Sequence, residues 1–544
     1  MKTREIYRTI GLGAVLLWLV ACGSAATSLG GDTSGVDGSG SSATIDGVPA
    51  PDTAETPDAT VVQSDDTAET PDRVTRLGDV TTGLGDVTTG LGDVTTTAKP
   101  IDQVLTCGKP ASAGGLSEGK QPDKLRRHDI DLARFPNALC NDGTGAVFFY
   151  RPYVGEANRN RWVIQLQGGG SCHSADSCAR RWCSIETNFG MTQMSNRLTP
   201  KNGIDGQGIL ARRGDNPLGN YNHVYIHYCS SDSWSGTRGP IDVTVADPAG
   251  QKGEVTFQLQ FNGRRIVDAV IATLRRDDTP PLLYDNGELP DLDDAEFVLF
   301  AGASAGGGGV INNADHVREI LESHNGGCQN GSGCALRVVA LIDSSFGPDD
   351  AGLDMSTTTL CNEQQICDYE TLMKVELSQG SVPLWAPDTD KSCWEWHAAH
   401  APETSWQCVD GNHKLLHHVT TPFFVRMGLT DSLISGNYIE AGFSVPGQGP
   451  LTLKLFAQLV RQQLLALPTI RQTAEEGDLM PVAPGVFGPP CSRHETLSST
   501  PDTFDVTLQS DGTPYTMLDT LFAWLSGQEP AALVTDGLKS FTCP

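Results

Sequence analysis

Apolar residues along the chain fall into short runs, and the runs alternate between two spacings. Residues 147–151, 162–166, 223–228, 297–301, 337–342 and 423–427 are nearly continuous apolar stretches bounded by turn formers, the pattern of strands buried on both faces. Between them, 263–275 places Ile266, Val267, Val270, Ile271 and Leu274 at helical spacing. Residues 308–321 do the same with Val310, Ile311, Val317 and Ile320. A further amphipathic helix spans 451–467, and Pro468 should end it. Strand–helix alternation of this kind predicts an α/β fold with a mostly parallel central sheet flanked by helices.

All of these runs lie beyond Cys107. From Gly23 to Thr106 there is no Phe, Trp or Tyr, and the copies DTAETPD (52–58 and 66–72) and LGDVTTG (from 77) repeat through it. Too little apolar area is present there to offset the entropy of ordering, so 22–106 is expected to be a disordered spacer and 107–544 one folded domain. Residues 1–21 read as a signal peptide: Lys2, Arg4 and Arg8 precede an apolar run from Ile10 to Val20 that is too short to span a bilayer. The run ends Leu19-Val20-Ala21-Cys22, which resembles a bacterial lipobox and implies lipidation at Cys22. The expected product is an exported lipoprotein at the outer membrane or cell surface.

Fifteen cysteines are present, so setting Cys22 aside leaves an even number that can all pair in an oxidising exterior. The pairs 328/334, 361/367 and 393/408 are plausible local loops, and the five residues between the members of each of the first two do not match common zinc motifs. A net charge of −28 argues against nucleic acid as a partner.

The sharpest chemical signal is Gly302-Ala303-Ser304-Ala305-Gly306, a G-x-S-x-G between a predicted strand and a predicted helix. A sharp turn there would project the Ser304 hydroxyl from the top of the sheet, with small residues at 302 and 306 letting strand and helix approach. Such a nucleophile needs a base and a group to orient the base, in the chain order serine, acid, histidine. Asp431 follows the apolar run ending at Met427, and His494 lies further on beside Cys491; Asp343, after the preceding strand, is the rival acid. Gln167-Gly168-Gly169-Gly170, after 162–166, offers a glycine turn for a second set of oxyanion donors. It fits neither phosphate-binding glycine pattern.

Several separated blocks resemble the pectin acetylesterase / Notum family of serine carboxylesterases. They are WVIQLQGGGSCHSADSC (162–178), NPLGNYNHVYIHYC (216–229), residues 261–267, the elbow 302–307, and PCSRH (490–494). The resemblance implies an α/β-hydrolase fold with Ser304, Asp431 and His494 as the catalytic triad. It assigns Gly169, Gly170 and Ala305 as the oxyanion hole and implies neither metal nor organic cofactor. The substrate it implies is an O-acyl ester, with acetyl on a polysaccharide such as pectin as first choice. Alternatives are longer acyl chains or lipids, or a surface glycan-binding protein that keeps the fold without turnover. Three departures from the family pattern stand at Gln167, Ser171 and Ala303 and are expected to line the mouth of the site.

Overall fold

The structure is a computed structural model that describes residues 98–107, 115–185, 189–276, 283–284, 287–328, 333–473, 477, 480 and 482–536. The expected signal peptide, Cys22 and nearly all of the expected spacer lie outside these residues.

Nine strands form the central sheet: β1 (Arg126–Asp129), β2 (Val147–Arg151), β3 (Arg161–Leu166), β4 (Asn222–Ile226), β5 (Phe297–Ala303), β6 (Arg337–Asp343), β7 (Phe423–Arg426), β8 (Gly485–Gly488) and β9 (Ala532–Val534). Their order is β1-β2-β4-β3-β5-β6-β7-β8-β9. The β1/β2 and β2/β4 pairs are antiparallel and the others parallel, so the sheet is mostly parallel as the alternation predicted. Every strand inferred from an apolar run is present.

Continuous apolar strands are what a doubly covered sheet requires, because successive side chains enter opposite layers. Trp162, Ile164, Phe300, Ala340 and Ile342 join the core on one face. Their neighbours Val163, Leu299, Ala301, Val339 and Leu341 join the core on the other. Each large side chain so buried contributes about 1.5–3 kcal/mol.

Helices α1 (Ala175–Trp182), α2 (Gly263–Leu274), α3 (Ala305–His324), α4 (Lys391–His400), α5 (Gly411–His417), α6 (Ser432–Ala441) and α7 (Leu453–Thr473) carry the parts used below. Two of them depart from expectation. α3 starts three residues early, at the elbow, because its glycines meet close-packed neighbours rather than breaking the helix. α7 runs through Pro468 instead of ending there. The turn beyond the proline is held by Arg471, whose buried guanidinium donates to the carbonyls of Leu416 (3.2 Å) and Val419 (2.7 Å).

The packed chain also begins ahead of Cys107. Ile101 and Leu105 are buried against the hairpin Arg238–Ala246/Glu254–Phe261, and Gln258 N–H donates to the Lys99 carbonyl. Six disulfides close among the described residues, Cys107–Cys183, Cys140–Cys229, Cys172–Cys178, Cys328–Cys334, Cys361–Cys367 and Cys393–Cys408, and Cys491 is also bonded. The last three of the six are the local loops read from spacing. A set of this kind belongs to an exported chain folded in an oxidising compartment.

Candidate active site at the carboxyl ends of the strands

Ser304 stands between β5 and α3 with φ 55° and ψ −127°, a region that costs an L-residue about 1–3 kcal/mol. The surroundings hold it there. Its N–H donates to the Asp343 carbonyl (2.9 Å), and its carbonyl accepts from Gly308 N–H (3.0 Å) and the Ser345 hydroxyl (2.5 Å). A Cβ on Gly302 would strike the Gly306 carbonyl, and one on Gly306 the Leu166 carbonyl. Glycine is therefore required at both positions by close backbone approach. The motif's spacing and its geometry agree.

Asp431 follows β7 and caps α6, its Oδ1 accepting from Leu433 and Ile434 N–H, both at 3.1 Å. The same carboxylate accepts from His494 Nδ1 at 2.8 and 3.0 Å. Asp431 is fully buried and the His494 side chain is 15% exposed. Burial opposes the charge on each, but the mutual attraction and hydrogen bond win. Asp431 is held below the usual carboxylate value and His494 above the usual imidazole value. His494 Nε2 is buried and makes no hydrogen bond among the described residues, so the contact to Ser304 Oγ is not closed.

Asp343, the rival acid, is used differently. Its Oδ1 pairs with Arg426 at 3.0 Å, both side chains buried. Its Oδ2 accepts from Thr496 N–H (2.6 Å), Thr496 Oγ1 (3.1 Å) and Leu497 N–H (3.1 Å). Its carbonyl takes the Ser304 N–H. Asp343 thus fastens the histidine loop to the serine turn and is not in contact with the imidazole.

The glycine loop after β3 is pinned from behind. The Gly168 carbonyl accepts from Gln193 Nε2 (3.1 Å) and the Gly169 carbonyl from Arg181 Nη2 (2.6 Å), both donors being buried. In a trans peptide N–H and C=O point oppositely, so these two bonds fix the direction of the Gly169 and Gly170 N–H groups. Gly169 and Gly170 have φ of 131° and 66°, which few other residues could adopt. Arg181 and Gln193 were not singled out in the sequence. They act across loops, with no local motif to mark them.

Glu495 was also missed. It adjoins His494 with φ 62°, and burial pushes its carboxyl up to about 7 against the pull of His494. Its side chain lies against Gly168 so closely that a Cβ there would meet the Glu495 carboxyl.

All three departures are buried, and Ser171 stands beside a residue that lines a cavity. Gln167 is buried, its Oε1 taking the Tyr228 N–H (3.1 Å) and lying 2.8 Å from His227 Nδ1, so it supports the loop from inside. Ala303 is buried as the last residue of β5. Ser171 Oγ is 3.3 Å from Ser233 Oγ, and Ser233 helps line an apolar cavity with Gly308, Ile311, Val382, Trp385 and Trp394. No triad side chain lines that cavity. Gly308, one turn of α3 beyond Ser304, is among its lining residues.

A model of the pectinacetylesterase family matches residues 119–535, most of the chain and all of the site. The chain belongs to the pectinacetylesterase family. Palmitoleoyl-protein carboxylesterase Notum of Schmidtea mediterranea is 24% identical over 421 residues, covering 74% of this chain and 63% of its own. The Homo sapiens counterpart is 26% identical over 398 residues, covering 71% and 63%. The matches thus span less than two thirds of these relatives' length. A solved structure of the Drosophila Wnt deacylase Notum superposes with a TM-score of 0.51 at 23% identity, covering 77% of this chain and all of that one. At that identity the likeness concerns the fold.

Proposed function

We propose that this pectinacetylesterase-family protein is a serine carboxylesterase whose triad is Ser304, Asp431 and His494. His494 Nε2 takes the Ser304 proton as Oγ attacks the acyl carbonyl, then returns it to the leaving alcohol. Asp431 orients the ring and stabilises the imidazolium. The N–H groups of Gly169, Gly170 and Ala305 receive the negative charge on the tetrahedral oxygen. Water then releases the acyl group by the same steps.

The observation that carries this reading is the buried Asp431–His494 pair with Nε2 uncommitted, at the sheet end where the Ser304 turn stands. A fluorophosphonate probe should label the wild-type protein stoichiometrically and leave Ser304→Ala unlabelled. Equal labelling of both, or of neither, rejects the assignment; neither would favour a glycan-binding surface protein.

For substrate we put short O-acyl groups first, acetyl on a polysaccharide such as pectin. The apolar cavity beside α3 favours a second reading, a longer acyl chain, and the relatives named for palmitoleoyl groups lend it support. Rates on p-nitrophenyl esters of increasing chain length, beside acetylated pectin, separate the two. A maximum at acetyl supports the first and a maximum at long chains the second. We further propose that a signal peptide, a lipidated Cys22 and a flexible spacer tether the domain to a bacterial outer membrane or cell surface. Cys22→Ser should then release it from the detergent phase.

A further inference from the structure

Four of the chain's histidines gather on α4, on α5 and just after α5, about a disulfide and away from the triad. Three of them converge. His397 Nε2 lies 3.1 Å from His413 Nε2, which lies 3.3 Å from His418 Nε2. All three rings are buried. Cys393 Sγ falls in the same cluster, within 4.8 Å of these nitrogens, but is bonded to Cys408. The His417 ring packs against His413, tilted, with centroids 4.9 Å apart, without sharing in the convergence.

Hydrogen bonding alone serves this arrangement poorly. The Thr404 hydroxyl donates to the Ala401 carbonyl (2.9 Å), so it accepts from His397 Nδ1–H (2.9 Å). A neutral His397 then turns a bare lone pair toward His413 Nε2. One proton on His413 Nε2 would have to serve His397 and His418 together. If that nitrogen is bare instead, it faces the His397 lone pair. A cation at the centre accepts a lone pair from each ring.

The spacing fits as well. Two nitrogens each about 2.05 Å from a tetrahedral zinc stand about 3.3 Å apart. The His397–Thr404 bond is the kind of outer partner that fixes a ligating imidazole's tautomer.

We propose that His397, His413 and His418 bind one divalent first-row cation, zinc by ligand type and geometry, through their Nε2 atoms. Water completes the fourth position, because Cys393 has no thiolate to give. The cation ties α4 to α5. Trp394 and Lys414 of those helices line the apolar cavity beside α3, so it also stiffens one wall of that cavity.

The test uses the full chain, stripped with a chelator and dialysed. Calorimetric titration with zinc chloride should show one tight equivalent, and the melting temperature should rise by several degrees with metal. Cobalt(II) should give the intense visible absorption of a tetrahedral site. His413→Gln and the double variant His397→Gln/His418→Gln should each lose ~100-fold or more in affinity. His417→Gln should bind as wild type. A wild-type chain that takes up neither metal stoichiometrically overturns the proposal whether or not the variants fold. So does a His413→Gln chain that folds and binds like its parent, or equal loss in His417→Gln.

Discussion

Two aspartates follow neighbouring strands, and their chemistry separates only when their partners are seen. Asp431→Asn should leave the protein folded, with some loss in melting temperature, and cut kcat by about 10⁴, since an amide favours the wrong imidazole tautomer. Asp343→Asn should unfold far more easily, by about 3–5 kcal/mol in chemical denaturation, because it strands a buried Arg426. If the kinetic loss falls on Asp343 at equal stability, the roles are exchanged. Arg181 is expected to act at one remove. Arg181→Met frees the Gly169 carbonyl and lets the Gly170 N–H wander, so kcat should fall by roughly 10²-fold with KM little moved. A change confined to KM would deny Arg181 this positioning role. The His494 shift makes a prediction in pH. Hydrolysis needs the neutral ring, so kcat/KM should rise with pH through a value above the ordinary imidazole pKa. Glu495→Gln removes a nearby charge that raises His494, and should move that limb to lower pH. Stability runs the other way. A raised histidine pKa contributes stability that is full below the ordinary value and lost as pH rises through the folded one. Asp431, lowered, contributes above its ordinary value and loses that as pH falls through its folded one. Melting temperature and kcat/KM measured across pH 4–10 should therefore part company on the alkaline side.

Elements were legible wherever one physical cause dominated. A strand covered on both faces has only apolar choices, so β2, β3, β5, β6 and β7 stood out as runs, and α2 showed its spacing directly. The elbow was legible because Gly302 and Gly306 each answer to a backbone collision, which spacing records. α7 was misjudged at Pro468, since a proline's local cost said nothing of the two bonds Arg471 makes beyond it. Pro468→Ala should restore the hydrogen bond to the Leu464 carbonyl and raise stability by about 1–3 kcal/mol, read by denaturant midpoint with activity unchanged. A loss of stability would mean the bend itself is needed for packing. Residues whose partners are remote stayed hidden: Gln193 and Arg181 hold carbonyls in a loop that neither adjoins. Gln167 was placed at the mouth although its side chain turns inward to His227.

At the scale of the molecule, the sheet collects groups that the sequence scatters. Their order and the strand ends could be read. The choice between Asp343 and Asp431 could not, because it depends on which carboxylate the histidine loop meets. That loop leaves β8, and among the described residues β8 pairs on its far side with β9, the last strand described. The order of synthesis then matters. A growing chain acquires Ser304 first, Asp431 later, His494 later still, and β9 after all three. Until His494 has been made, the Ser304 turn stands without the base proposed for it. On the proposed assignment, chronology thus keeps the polypeptide from acting on esters until the segment that carries His494 has been made and seated.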